Sequence, residues 1–258
     1  MNKLFVRSTA LAGLAALALC GCAKKDDGTI TMITESGFAP YEYLDGGNIV
    51  GVDVDICEAV AAKLGKKLVV QDAKFDAVIP SVISGKADLA AAGITVTEDR
   101  KQSVDFSIPY VKSGIVIISA KDAPYKTADE VKGKKIGVQS GTTSDTFCVD
   151  VLKQEPERFD NPPTAVAALK SGKIDCVIAD IDPAKNCVKG DDSVFISSDF
   201  VGEPEEFAIA IRKGQPELLA TINAVIGEML ESGAVEAAKA RHDARYAELR
   251  GAEEEAAE

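Results

Sequence analysis

A five-residue pattern that occurs twice constrains the fold of this chain more than any other feature. Ser84-Gly85-Lys86-Ala87-Asp88 returns as Ser171-Gly172-Lys173-Ile174-Asp175. Each copy follows a short amphipathic run and precedes an apolar run of strand length, which is typical of a helix that ends at a glycine and leads into a strand. The repeat predicts two lobes of similar α/β construction; a coincidence between two common Gly-Lys turns is the alternative.

The two repeats also predict two equivalent strand ends. Gly93 lies five residues beyond the first aspartate, and Asp180 lies five residues beyond the second. Ligands of open α/β sheets bind outside the carboxyl ends of the strands. We therefore expect Gly93 and Asp180 to face each other across a cleft between the lobes.

The segment from Gly93 to Arg100 carries groups suited to a free amino acid. Thr97 is predicted to cap a short helix with Arg100 in its first turn. An arginine fork binds a carboxylate bidentately, and the Gly93 carbonyl and the Thr95 hydroxyl can accept hydrogen bonds from an α-ammonium. Arg100 on one wall and Asp180 on the other would suit a zwitterion. A capped surface helix with a solvated arginine is the alternative.

The turn 139–144 is a second candidate site. A predicted strand, 135–138, runs into Gln139-Ser140-Gly141-Thr142-Thr143-Ser144 just before a predicted helix, 145–152. Backbone N–H groups at a helix start can hold an anion. The turn lacks the lysine of a nucleotide-binding loop, so a carboxylate suits it better than a triphosphate. A capped loop without a ligand is the alternative.

The first 22 residues are predicted to be a lipoprotein signal peptide. Lys3 and Arg7 precede an apolar run, 9–19, which is about half as long as the roughly 20 residues of a membrane span. The run closes on Leu-Cys-Gly-Cys, which resembles the bacterial lipobox. We expect cleavage before Cys22 and lipid modification of its sulfur; ordinary secretion with a cut near Ala23 is the alternative.

Charge argues against a nucleic-acid partner. Without residues 1–21 the chain has 27 basic and 41 acidic side chains, a net charge of −14. Nucleic acids are bound by basic surfaces. This balance therefore favours a different class of ligand.

Cysteine and histidine usage argues against a metal site. The body has four cysteines without a C-x-x-C pair and one histidine, His242, so a zinc site is not expected. Cys57 and Cys176 lie in apolar runs and are predicted to be core residues. A disulfide among Cys148, Cys176 and Cys187 stays open at this point. No cofactor is expected.

Periodicity predicts alternating strands and helices and two crossings between the lobes. The strands are predicted at 29–34, 68–71, 115–119, 135–138 and 207–211, and the longer helices at 52–64, 145–152, 216–232 and 234–245. Crossings near 110–113 and 202–206 would form a two-strand hinge. The first lobe would then be discontinuous, 29–110 with 207–250, and the second would be 114–202. Residues 23–28 are predicted to be a tether and 251–258 an acidic, frayed tail.

Several short motifs occur in the order of a known family. They are Phe38-Ala-Pro-Tyr-Glu-Tyr43, Gly51-Val-Asp-Val-Asp-Ile56, Phe75-Asp-Ala-Val-Ile-Pro80, Val104-Asp-Phe-Ser-Ile-Pro-Tyr110 and Gly137-Val-Gln-Ser-Gly-Thr142, besides the repeats. With them the chain, over roughly 30–245, resembles the bacterial extracellular solute-binding proteins of family 3. These are substrate-binding subunits of polar amino acid ABC transporters. The resemblance implies an α/β, type II periplasmic-binding-protein fold with two lobes, a two-strand hinge and a ligand cleft.

The resemblance also implies roles for the main-chain ends of an amino acid ligand. Arg100 would clamp the α-carboxylate, helped by Thr95 and by the N–H groups around Thr142 and Thr143. The Gly93 carbonyl and the Asp180 carboxylate would hold the α-ammonium.

For the ligand's side chain the resemblance implies a second set of residues. Phe38 and Phe75 would cover it from two sides, although core packing is the alternative for both rings. Glu35 stands where relatives often carry an aspartate that reaches the side chain, and Gln139 would lie deeper in the pocket. Glu35 favours a polar, cationic or amide side chain over an acidic one, and cystine remains open.

The implied function is a lipid-anchored receptor of the cell envelope. A monomer would close on a free amino acid and deliver it to the permease and ATPase subunits of an ABC transporter. No catalytic residue is expected. The alternative is a dehydratase-like envelope enzyme on the same fold, with Glu35 and Asp180 as its acids; a sensor lobe is a third reading.

Overall fold

The computed structural model describes residues 28–257. The predicted signal peptide, Cys22 and the tether up to residue 27 lie outside the described residues. The strands are β1 (Thr29–Thr34), β2 (Gly37–Phe38), β3 (Glu42–Asp45), β4 (Asn48–Val50), β5 (Lys67–Asp72), β6 (Leu89–Ala90), β7 (Val104–Phe106), β8 (Val111–Ser113), β9 (Ile115–Ala120), β10 (Ile136–Gln139), β11 (Glu157–Phe159), β12 (Cys176–Asp180), β13 (Val194–Ile196), β14 (Glu205–Phe207) and β15 (Ala210–Arg212). The helices are α1 (Val52–Lys63), α2 (Phe75–Ile83), α3 (Glu98–Lys101), α4 (Thr143–Thr146), α5 (Pro162–Lys170), α6 (Ile181–Cys187), α7 (Pro216–Glu231) and α8 (Ala234–Ala257).

The first lobe is a five-stranded sheet covered by helices on both faces. Its strand order is β5-β1-β6-β15-β7, with β1 parallel to β5 and β6 and with β15 antiparallel to β6 and β7. Alternate residues of a strand point to opposite faces. Met32 therefore packs with α1 and α7 on one face, and Ile33 packs with α2 on the other.

The second lobe repeats this construction. Its strand order is β11-β10-β12-β9-β13, with β10 parallel to β11 and β12 and with β9 antiparallel to β12. Val177 of β12 packs with α5 and α6, and Ile178 packs on the opposite face with Cys148 and Leu152.

The sequence repeat forms the same turn in both lobes. Gly85 and Gly172 follow α2 and α5 with φ of 76° and 72°, a left-handed conformation that glycine adopts without strain. The Asp88 carboxylate accepts a hydrogen bond from the Thr31 N–H at 2.9 Å, and the Asp175 carboxylate accepts one from the Lys135 N–H at 2.8 Å. Each aspartate thus ties its turn to the neighbouring strand, which confirms the prediction of two similar lobes.

Two antiparallel strands connect the lobes. β8 leads from the first lobe into the second, and β14 leads back, with Glu205 opposite Ser113 and Phe207 opposite Val111. The predicted architecture of two α/β lobes on a two-strand hinge is confirmed. Since Asp180 ends β12 and Gly93 follows β6, both lie at carboxyl ends of strands that point toward the space between the lobes.

One predicted strand, 207–211, is wrong. The structure has two strands there, β14 in the hinge and β15 in the first lobe's sheet. Ala208 N–H bonds to the Ile94 carbonyl at 3.1 Å and Ile209 N–H to Ser107 Oγ at 3.0 Å. The five residues are all fully buried, so their apolar run looks continuous although the chain changes sheets within it.

Two helices also differ from their predicted limits. The helix predicted at 145–152 begins at Thr143 and continues from Phe147 to Val151 as a π-helical turn. Helix α8 continues from the predicted end at Arg245 to Ala257, so the acidic tail is helical as far as the structure describes it. Alanine and glutamate favour helix, and Arg245 pairs with Glu248 one turn later at 3.1 Å.

The four body cysteines, Cys57, Cys148, Cys176 and Cys187, are buried free thiols. Within residues 28–257 there is no group of side chains that could hold a metal ion. In the same region no single helix is long and apolar enough to cross a membrane. Helices α7 and α8 reach that composition only as a pair bent by 77°, and Ile222, Val225 and Ile226 of α7 are buried in the first lobe's core.

Candidate functional site

The two lobes touch each other along the cleft, so the structure is a closed form. Arg100 Nη2 donates to the Gly141 carbonyl at 3.1 Å, which joins α3 of the first lobe to the turn before α4. Near the cleft mouth Lys74 Nζ lies 2.8 Å from Asp160 Oδ1. A Cβ added to Gly141 would meet the Asp76 Cβ at 3.2 Å, which shows how closely the backbones approach.

Arg100 is held on the first lobe's wall as the sequence predicts. Thr97 caps α3, because its Oγ1 accepts the Arg100 N–H at 3.2 Å. The guanidinium donates from Nη1 to the Thr95 carbonyl at 2.8 Å and stacks over the Phe75 ring at 5.4 Å from its centroid. Burial lowers the pKa of Arg100, while Glu205 and Asp180 act in the opposite direction. The site therefore presents a desolvated cation against an aromatic face.

Asp180 reaches the same point from the second lobe. It is 5% exposed, and Ser113 Oγ of the hinge donates to its Oδ1 at 3.2 Å. Burial, followed by the charge of Glu205, raises the pKa of Asp180 well above its usual value, and Arg100 partly offsets this. The structure thus brings the predicted arginine and aspartate together from opposite walls.

Glu205, which the sequence reasoning missed, completes this cluster from hinge strand β14. Its Oε2 accepts a hydrogen bond from Thr95 Oγ1 at 2.6 Å. Residues alternate in exposure along β14, with Glu205 and Phe207 buried and Glu206 exposed. The predicted crossing at 202–206 contains Glu203, Glu205 and Glu206, and only the strand register decides which of them faces inward.

Gly93 is where the sequence places it, and its lack of a side chain is required there. Its φ is +52°, and an added Cβ would meet the Phe38 ring at 2.3 Å. Its N–H donates to Asp53 Oδ2 at 2.9 Å, while Tyr110 OH donates to Asp53 Oδ1 at 2.7 Å. Burial raises the pKa of Asp53 to about 6. This fully buried aspartate fixes the peptide orientation at Gly93, and sequence reasoning did not identify it.

Glu35 lies at the far end of the cleft and connects to the second lobe. Its Oε1 accepts from the Gly37 N–H at 3.1 Å, and its Oε2 accepts from Gln139 Nε2 at 3.1 Å. Gln139 Nε2 also donates to the Asp160 carbonyl at 3.0 Å. Burial raises the pKa of Glu35 to about 7, with Asp72 adding to the effect and Gln139 opposing it.

A small cavity lies between Phe38 of the first lobe and the second lobe's wall. It is lined by Phe38, Gln139, Thr142, Ser144, Pro162 and 177–180. Thr142 caps α4, because its Oγ1 accepts the Asp145 N–H at 3.4 Å while donating to the Gln139 carbonyl at 2.8 Å. Thr143 follows as the first residue of that helix and is half-buried.

Ser144 is a third residue that sequence reasoning missed, after Glu205 and Asp53. It is 2% exposed and lines the cavity, and its Oγ has no hydrogen-bond partner among the described residues. A buried hydroxyl without a partner is unfavourable. Ser144 ends the turn 139–144, which the sequence predicts as a candidate anion site, so its position in that turn could have identified it as a site residue.

The chain matches one protein family over most of its length. The model of the bacterial extracellular solute-binding proteins, family 3, matches residues 30–242. A probable histidine-binding protein of Neisseria gonorrhoeae is 33% identical over 95% of this chain and 97% of its own length. The arginine-binding extracellular protein ArtP of Bacillus subtilis is 31% identical over 89% and 94%.

Solved structures agree with the fold. The amino acid ABC transporter substrate-binding protein AbpA of Streptococcus pneumoniae, bound to L-arginine, superposes with a TM-score of 0.80 at 30% identity. The superposition covers 85% of this chain and 96% of that one.

Proposed function

The chain belongs to the bacterial extracellular solute-binding proteins of family 3, and from this premise we propose that it captures a free amino acid with a cationic side chain between its lobes. One observation carries the proposal: Arg100 of the first lobe bonds across the cleft to the Gly141 carbonyl, the buried Asp180 ends a strand of the second lobe beside the hinge, and Glu35 bonds across the cleft to Gln139. A zwitterion with a cationic side chain is complementary to these three charges.

The main-chain groups of the ligand would be bound at the Arg100 end of the cleft. Arg100 would pair with the α-carboxylate, and Thr142, Thr143 and the backbone at the start of α4 would support it. The Gly93 carbonyl, Thr95 and Asp180 would receive the α-ammonium. The observed bond from Thr95 Oγ1 to Glu205 leaves that oxygen's lone pairs for an ammonium donor.

The side chain would be bound at the Glu35 end. Phe38 and Phe75 would supply apolar contact, and Glu35 with Gln139 would supply polar contact. Because Glu35 is the acid at this end, its ionised form would repel the side-chain carboxylate of glutamate or aspartate and attract the cation of arginine, lysine or histidine.

Closure would couple binding to transport. Closing the lobes excludes water, which strengthens the pairing of both ends of the zwitterion. Since Arg100 and Asp180 come from different lobes, a ligand that contacts both shifts the equilibrium toward the closed form. The closed form would then be recognised by the permease and ATPase subunits of an ABC transporter.

We further propose that the mature chain is a monomer attached to the membrane by lipid on Cys22, outside the cytoplasm. Because the relatives described above are binding proteins, we favour a binding protein over the enzyme alternative that uses Glu35 and Asp180.

The test is a thermal-unfolding screen of the mature chain against the twenty amino acids, cystine and ornithine. A ligand present at 100 times its Kd stabilises a protein by about 2.7 kcal/mol. We expect the largest shifts from arginine, lysine or histidine. Shifts confined to glutamate and aspartate would contradict the cationic ligand, and the absence of any shift would contradict the binding function.

A further inference from the structure

Glu205 occupies a position in the hinge that brings its carboxylate into the cleft. It is 8% exposed, and Thr95 Oγ1 donates to it at 2.6 Å. Strand β14 pairs with β8 so that Glu205 stands opposite Ser113, the residue whose hydroxyl donates to Asp180. Both hinge strands therefore direct a polar side chain to the same point.

Glu205 and Asp180 are neighbours at this point, because the hydroxyl of Ser113, the residue opposite Glu205, donates to Asp180, and the charge of Glu205 adds to burial in raising the pKa of Asp180. Thr95 and Ser113 donate hydrogen bonds to this pair, and the charge of Arg100 acts on both carboxyl groups. The Tyr41 phenol donates to Asp182, two residues after Asp180. Arg100 is the single cation among them, and it also donates to the carbonyls of Thr95 and Gly141.

Two adjacent buried carboxyl groups do not both ionise unless a cation compensates them. Burial and the charge of Glu205 therefore favour the protonated form of Asp180 while the site is empty. An α-ammonium brings one positive charge and three N–H donors, enough for both carboxylates and the nearby Gly93 carbonyl.

We propose that Glu205 is a ligand-binding residue that shares the α-ammonium with Asp180, and that the pair releases its proton when the ammonium binds. This rests on the proposed function. The protons balance simply: the ligand keeps its three ammonium hydrogens, the ammonium replaces the proton on the pair, and that proton passes to the solvent. Arginine affinity therefore increases with pH by up to tenfold per pH unit wherever one proton is released.

The test counts protons by isothermal titration calorimetry of L-arginine at pH 7 in phosphate and in Tris, which differ in ionisation enthalpy. Glu35 can release a proton as well, so the Glu35→Gln variant isolates the pair. We expect arginine binding to release a proton from Glu35→Gln but not from the double variant Glu35→Gln/Glu205→Gln. We also expect the Kd of Glu205→Gln to be at least tenfold higher than that of the wild type.

Two further variants control the result. Glu206→Gln changes the exposed neighbour on the same strand and should leave both the Kd and the proton count unchanged. Glu205→Asp keeps a carboxyl group and should restore proton release, which covers the case in which Glu205→Gln does not fold.

A purely structural Glu205 would give a different result. Loss of affinity in Glu205→Gln with an unchanged proton count, or no proton release from Glu35→Gln, would overturn the inference while leaving the proposed function intact. If arginine does not bind, the titration is run with the amino acid that the screen selects, since each carries the same ammonium. If none binds, the proposed function fails and this inference fails with it.

Discussion

At the residue scale, the site combines one partly buried cation, Arg100, with carboxyl groups whose environment opposes their ionisation. Burial raises the pKa of Glu35 to about 7 and that of Asp180 well above its ordinary value. Such shifts gather at functional sites because binding groups are desolvated there. Glu35 can therefore respond to a ligand's charge near neutral pH, and a cation bound beside Asp180 would oppose the effect of burial on that group.

Glu35 gives a pH dependence with a definite sign. Below pH 7 it is largely protonated, and a cationic side chain binds the ionised form, so binding must release a proton. We expect the affinity for L-arginine to rise as pH increases from about 5 to 8. Glu35→Gln should bind arginine more weakly at pH 8 and should lose Glu35's share of this dependence. Calorimetry across this pH range checks it, and an equal pH dependence in both proteins would contradict it.

Glu42 makes a second prediction, on stability. Its carboxyl group is fully buried, and burial followed by the charge of Asp53 raises its pKa well above 4.5. A group whose pKa is higher in the folded than in the unfolded chain stabilises the fold at pH values below its unfolded-state pKa. That contribution is lost as the pH increases toward the folded-state pKa. Glu42→Gln should therefore be about neutral at pH 4 and stabilising by at least ~1 kcal/mol at pH 8.

Urea unfolding at both pH values measures the effect of Glu42→Gln. Glu58→Gln, an exposed change on α1, is the matched control and should be neutral at both. A destabilised Glu42→Gln at pH 8 would contradict the unfavourable ionisation of the buried Glu42.

How much could be predicted differs from residue to residue. Arg100, Thr97 and Gly93 follow from local rules for capping and turn formation, so their placement could be predicted from one segment. Glu205 could not, because its inward direction depends on the register of β14 against β8, which is a long-range contact. Asp53 lies in a helical motif, and only the folded chain brings it to the Gly93 N–H.

At the element scale, helices α6 and α8 connect the lobes away from the cleft. Lys239 Nζ of α8 lies 3.2 Å from Asp182 Oδ1 of α6, and Tyr41 OH donates to Asp182 Oδ2 at 2.7 Å. Asn186 Nδ2 donates to Asp243 Oδ1 at 2.8 Å. These contacts join the two lobes beside the hinge, and we expect them to favour the closed form.

Removing the ion pair between Lys239 and Asp182 should weaken ligand binding, although Lys239 does not itself touch the ligand. Partly exposed ion pairs contribute about 0.2–1 kcal/mol, so Lys239→Ala should raise the Kd for arginine by up to about fivefold. Lys185→Ala, an exposed change on α6, should not. Titration calorimetry compares the two, and equal affinities for all three proteins would contradict a role of this contact in closure.

Helices, strands and turns could be predicted where a single segment of sequence determines the local structure. They could not be predicted where contacts with other segments determine it. The turns at Gly85 and Gly172 follow from their repeated motif. The run 207–211 is uniformly buried, so nothing local marks the change of sheet between Phe207 and Ala210. The π-helical turn after α4 likewise has no local sequence rule behind it.

At the scale of the whole molecule, the fold places the ends of two strands, at Gly93 and Asp180, on opposite sides of the cleft, and the antiparallel strands β8 and β14 join the two lobes. Because the first lobe is interrupted by the second in sequence, both connections pass through the hinge. Small changes in β8 and β14 can therefore move one lobe against the other while each core stays packed.

Whether Arg100 and Asp180 together hold the ligand is tested most directly by titrating L-arginine into the wild type, Arg100→Ala and Asp180→Ala. Glu206→Gln is the control. Loss of one partner of a buried charge pair costs about 2–5 kcal/mol. We predict tight binding to the wild type and the control, and at least a ~30-fold loss in each cleft variant, with circular dichroism spectra unchanged. Near wild-type affinity in either cleft variant would contradict a ligand held between the lobes by these two residues.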